Sequence, residues 1–208
     1  MKYYLSSFRT GNETDKLVKM THETNKKVAF FTNAMDYMDD LETRAIIEGH
    51  DKGDLTSLGL EVNHIDLRDY FGKEKELRAI VEPCDVIWCV GGNSFVLLQA
   101  MRATGLDKIM YERHESQEKY VYGGFSAGAS ILGPTLKGIH LTDEPDVKPY
   151  GHETEVRWDG LGLTDFVVVP HYRSELFKDL DTEEAIKTLI NNKTLFKAIE
   201  DGEVIIIE

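Results

Sequence analysis

Residues 121–130, "VYGGFSAGAS", run from a short apolar segment into small residues that carry a hydroxyl at Ser126, with Gly124 and Gly128 two positions to either side. The pattern G-x-S-x-G suits a strand that turns sharply into a helix. Small neighbours let strand and helix approach closely, while the serine occupies a strained turn with its hydroxyl projecting. In that geometry the backbone N–H of Ala127 faces the same pocket and can donate to an oxyanion.

Strand–helix alternation extends outward from this stretch. Residues 2–8, 27–33, 60–67, 85–92 and 120–125 are short β-branched or aromatic runs and predict strands. Between them, residues 39–51, 73–82, 94–103 and 105–117 read as helices; Phe95, Leu98 and Met101 fall at helical spacing behind Ser94 as a cap. Near-continuous apolar strands alternating with helices predict an α/β fold, a mostly parallel sheet flanked by helices. Ligands of such sheets bind beyond the carboxyl ends of the strands, where "VGGN" and "YGGFSAG" both fall. Residues 134–162 read as loops and short strands, 165–171 as another buried strand and 181–192 as a capped helix. Asp201-Gly202 suits a type I′ turn in a C-terminal antiparallel hairpin. With no linker, repeat or low-complexity tract, residues 1–208 are expected to form one domain.

Composition narrows the functional classes. The chain carries 24 Lys+Arg against 37 Asp+Glu, a net charge of −13, which disfavours nucleic acid and anionic membranes as partners. No apolar run approaches a membrane span. Cys84 and Cys89 fall in an apparent strand with side chains on opposite faces, which argues against a disulfide and for buried thiols in a reducing, cytoplasmic setting. They also lack zinc-ligand spacing.

A serine hydroxyl needs a base to act as a nucleophile. Of the histidines, His171 closes the buried run "FVVVPH" and so belongs on the rim that holds Ser126. A carboxylate must orient that base, and Asp143, Glu144 and Asp146 in "HLTDEPD" are candidates, giving the order Ser…Asp…His. The second glycine cluster, "VGGNSF", joins a strand to a helix; Gly91, Gly92 and Asn93 offer backbone donors for an oxyanion or substrate. It matches neither G-x-G-x-x-G nor the P-loop, which argues against nucleotide binding.

Together "VGGNSFVLL", "GGFSAGAS", "TDEP" and "VVPHY" resemble the aspartyl dipeptidase (dipeptidase E) and cyanophycinase family of serine peptidases. The resemblance implies a three-layer fold like that of class I glutamine amidotransferases, with serine in place of their cysteine. It also implies cofactor-free hydrolysis of short peptides through an acyl-enzyme, with Asp143 as the third member beside Ser126 and His171. Arg173 is a candidate partner for an acidic substrate side chain, but aspartyl specificity is not carried over. An α/β-hydrolase esterase shares the elbow and triad order, but lacks room for further sheet between Ser126 and His171. A non-catalytic binding protein of the same fold is the third alternative.

Overall fold

The computed structural model describes residues 1–116, 119–152 and 155–208. Six strands form one sheet in the order β3-β2-β4-β5-β1-β8. They are β1 (Lys2–Ser6), β2 (Lys27–Phe31), β3 (Glu61–His64), β4 (Val86–Cys89), β5 (Val121–Phe125) and β8 (Val204–Ile207). All pairings are parallel except β8 with β1, so β8 is an antiparallel edge. Two further strands, β6 (Val167–Val169) and β7 (Phe196–Ala198), pair with each other in parallel as a separate small sheet.

Strand alternation sorts the core into two layers. Tyr3, Leu5, Phe31, Ile87 and Tyr122 face one side, and Tyr4, Val28, Phe30, Trp88 and Val121 the other. The first layer is closed by α3 (Glu74–Val81), α4 (Ser94–Thr104), α5 (Leu106–Glu115) and α7 (Thr182–Asn191). Across the sheet, α1 (Thr14–Thr21) buries Leu17 and Met20, while α2 (Leu41–Ser57) buries Leu55. Burial on both faces explains why β4 and β5 are apolar at every position rather than alternating.

The strands expected at 2–8, 27–33, 60–67, 85–92, 120–125 and 165–171 are present, shorter at their ends, and the α/β class holds, whereas among the described residues of 134–162 the expected short strands reduce to an isolated bridge between Thr135 and Asp159. Four further details differ. The helix α1 lies outside the expected helices because it is a single two-turn element with only two large apolar anchors. The cap of α4 is Asn93, whose Oδ1 accepts from the N–H groups of Phe95 (2.9 Å) and Val96 (3.0 Å); Ser94 is already helical. Cys84 precedes β4 and joins the same core layer as Cys89, both of them free and buried. The C-terminal strand is antiparallel to β1 rather than to β7, and at Asp201-Gly202 only Gly202 has positive φ (95°), which excludes a type I′ turn. The predicted end of the 105–117 helix, and residues 153 and 154 of the 134–162 region, lie outside the described residues.

Candidate active site

Parallel register sets the site. Ser6 pairs with Phe125 and Cys89 with Gly124, so β1, β4 and β5 end on one rim. From Phe125 the chain passes through Ser126 into the short helix α6 (Ala127–Ser130). Ser126 holds φ 51° and ψ −116°, a conformation costing on the order of 1–3 kcal/mol for a residue with a Cβ. Its N–H donates to the Ser6 carbonyl (3.2 Å), and its own carbonyl accepts from Ala129 (3.0 Å) and Ser130 (2.9 Å), which fix the turn. A Cβ on Gly128 would lie 2.2 Å from the Cys89 carbonyl oxygen, and one on Gly124 2.9 Å from the same atom. The spacing of glycines around Ser126 is therefore a demand of close packing against the end of β4.

His171 follows β6 by two residues, with φ 59°, and is almost wholly buried. Its Nε2 lies 3.0 Å from Ser126 Oγ and its Nδ1 2.8 Å from Asp201 Oδ1. The Ser7 hydroxyl accepts from the His171 N–H (2.9 Å) and donates to Asp201 Oδ1 (3.0 Å). Ser174 Oγ donates to the other Asp201 oxygen, and the Phe177 ring packs on the imidazole with centroids 4.0 Å apart.

These contacts set the charges. Burial tends to raise the Asp201 carboxyl, but donors from Ser174, His171 and Ser7 outweigh it and hold the group below its ordinary value. An ionised Asp201 can only accept, so Nδ1 carries the imidazole hydrogen and Nε2 is left to accept from the serine. Burial lowers His171 below its ordinary value, with Asp201 opposing, so the ring is neutral near pH 7.

The structure thus brings Ser126 and His171 into hydrogen-bond contact and does not bring Asp143 to the imidazole. Asp143 is half-buried in the same cleft, where its Oδ2 accepts from the Ser94 N–H (2.8 Å) at the start of α4. Burial pushes its carboxyl up to about 6, against hydrogen bonding from Ser94. Glu144 and Asp146 are exposed, and Glu144 contributes only its carbonyl, to Asn93 Nδ2 (2.8 Å). Asn93 is committed to the helix cap and, through its N–H, to the Ala34 carbonyl (2.8 Å), so it is a structural residue. Gly91 and Gly92 line the cleft, and Gly92 has φ 136° with the space for a Cβ filled by the Ala34 carbonyl 2.4 Å away. Among the described residues no acceptor takes the N–H of Gly92 or of Ala127. Arg173 stands outside the cleft, two-thirds exposed, with its guanidinium 3.9 Å from Glu200.

Asp201 is the residue that reading the sequence missed. A signal for it existed: β8 begins at Val204 opposite Ser6, so the turn entering this antiparallel edge strand lies on the same rim as the ends of β1 and β5. Among the described residues no cluster of His, Cys, Asp and Glu is arranged to hold a metal, and no helix is long and apolar enough to cross a membrane.

Comparison with known proteins agrees with this geometry. The family model "Peptidase family S51" matches residues 6–208. The uncharacterized peptidase Lmo0363 of Listeria monocytogenes is 34% identical over 154 residues, covering 74% of this chain and 70% of that protein. Peptidase E of Salmonella typhimurium is 32% identical over 115 residues, 54% of this chain and 46% of its own length. Among solved structures, a candidate Peptidase E protein from Listeria monocytogenes superposes with a TM-score of 0.75 at 27% identity, covering 99% of this chain and 93% of that one. A peptidase from an acI-B1 Actinobacterium shares the fold, with a TM-score of 0.71 at 18% identity over 100% of this chain and 83% of that one. With an elbow serine in contact with a buried histidine and a family match over nearly its whole length, the chain belongs to peptidase family S51 and is a peptidase hydrolase.

Proposed function

We propose that this peptidase cleaves short peptides through an acyl-enzyme formed on Ser126. His171 Nε2 takes the hydroxyl proton as Ser126 Oγ attacks the carbonyl carbon, then gives it to the leaving amine when the C–N bond breaks. Water attacks the ester with the same histidine as base, releasing the acid and regenerating the serine. Asp201 keeps the proton on Nδ1 and stabilises the imidazolium that forms transiently. The N–H groups of Ala127 and Gly92 receive the developing oxyanion. Asp143 takes no proton in this scheme.

The observation that carries the reading is the continuous chain Ser126 Oγ–His171–Asp201, with links of 3.0 and 2.8 Å. The net charge of −13 favours small peptides over nucleic acid as partners, and two buried free thiols fit a reducing cytoplasm. Incubation with a dipeptide library tests it. Cleavage is expected, and Ser126→Ala should lower kcat by about 10⁴-fold or more. Absence of cleavage, or full activity in the variant, contradicts the reading.

A further inference from the structure

The cleft that holds Ser126 and His171 has a volume of about 560 Å³, and apolar side chains such as Phe8, Met35, Met38, Ile47 and Phe177 line much of it. Arg9 and Asp51 put a polar spot on that lining, outside the chain Ser126–His171–Asp201. Arg9 lies just beyond β1 with φ 51°, a strained value for a residue with a Cβ. Its guanidinium is fixed at the far end, where Nη2 donates to Asp54 (2.7 Å) and to the His50 carbonyl (3.4 Å). Asp51 belongs to α2, its side chain is only 4% exposed, and its Oδ1 lies 3.8 Å from Arg9 Nε.

Two buried atoms of this pair have no hydrogen-bond partner among the described residues: Arg9 Nε, a donor, and Asp51 Oδ2, an acceptor. Both are desolvated polar groups whose hydrogen bonds are still to be made. Burial pushes the Asp51 carboxyl up to about 7, with Arg9 opposing and Asp54 and Glu48 adding to the rise. Asp54 meets the Arg9 charge, so near neutral pH the spot carries little net charge.

A donor beside an acceptor discriminates among ligand groups. An ammonium answers Asp51 and leaves the Arg9 N–H unmet. A carboxylate answers both only when Asp51 has taken up a proton. A primary carboxamide answers both as they stand: its carbonyl oxygen accepts from Arg9 Nε–H and its N–H donates to Asp51 Oδ2. It also adds no charge to a buried place.

We propose that Arg9 and Asp51 form a subsite for a primary carboxamide of the substrate. This rests on the serine-peptidase reading and names its substrate class. Asn and Gln side chains and an amidated C-terminus all present that group, and the test separates them.

The test measures kcat/KM with the full chain for Leu-Leu, for peptides in which either leucine is replaced by Asn, Gln, Asp or Lys, and for Leu-Leu-NH2. Leu, Asn and Asp are close in size, so the series varies the polar group. At one of the two positions, Asn or Gln should exceed both Leu-Leu and the matching Asp and Lys peptides by about tenfold or more. A gain of that size confined to Leu-Leu-NH2 upholds the subsite with the terminal amide as its ligand. Equal or faster hydrolysis of an Asp or Lys peptide overturns the proposal in favour of a charged ligand. A flat series overturns it too, with water alone meeting the two atoms. Both results leave the peptidase reading standing, whereas no hydrolysis of any member contradicts that reading itself. Arg9→Met changes a side chain 37% exposed, and Asp51→Leu replaces a buried carboxyl by a group of similar size. Each should bring the carboxamide-to-Leu-Leu ratio close to one, mainly through KM. A ratio unchanged in either folded variant overturns the assignment to these atoms, and the series on the parent chain decides without them.

Discussion

Asp201 and Asp143 both border the catalytic cleft, yet their surroundings give them opposite character. Asp201 sits in a turn with hydroxyls from Ser7 and Ser174 and the His171 ring directed at it, and is held below its ordinary value. Asp143 meets the N–H of Ser94 in a drier place and is pushed up to about 6. The donors around each carboxylate, more than proximity to the serine, set which group is held low and which is pushed up. Two carboxylates a few residues from recognisable motifs are not interchangeable.

That contrast can be broken in steps. The largest effect is expected from Asp201→Asn. Its amide can donate to Nδ1 and trap the wrong tautomer, lowering kcat by about 10³- to 10⁴-fold in steady-state assays. Ser174→Ala, which removes one donor to Asp201 and leaves the triad atoms in place, should lower kcat about tenfold. In Asp143→Asn, kcat should fall less than about tenfold, because no proton moves through that group. A loss as deep as that of Asp201→Asn would erase the distinction.

Stability sharpens the comparison further, because the two groups have opposite linkage. The folded-state value of Asp143 is raised from 3.8 to about 6, so the folded form binds more protons in that interval. Its burial therefore costs stability as pH rises through that window, and the cost is fully present above it. Asp143→Asn should be more stable than the parent by on the order of 1 kcal/mol at neutral pH, with the gain vanishing in acid, as read from urea midpoints. Asp201, lowered in the folded state, contributes stability above its unfolded value that is lost as pH falls through the lower folded one. Asp201→Asn should lose stability at neutral pH and approach the parent in acid.

Much of this architecture is legible in the sequence because it is local. The strands β4 and β5 announce themselves as unbroken apolar runs, since both of their faces are covered. Ser126 is legible through Gly124 and Gly128, whose missing side chains leave room for the Cys89 carbonyl. His171 is legible because a buried strand delivers it to the rim. Asp201 is not, because its place depends on β8 pairing with β1 across almost the full length of the chain, and Asp-Gly alone says only that the backbone turns. The "TDEP" segment offers Asp143 as the third triad member, and local sequence does not reveal that its oxygen is spent on the start of α4. Asn93 and Ser94 are both good capping types one residue apart, so the pattern alone does not separate them.

Titration of the His171 ring by NMR tests most directly which carboxylate holds it. Burial lowers the imidazole and Asp201 is the group that opposes it. Asp201→Asn should move the His171 midpoint further down, and with it the acid limb of kcat/KM, while Asp143→Asn should leave both in place. A midpoint that stays put in Asp201→Asn and falls in Asp143→Asn would contradict the assignment.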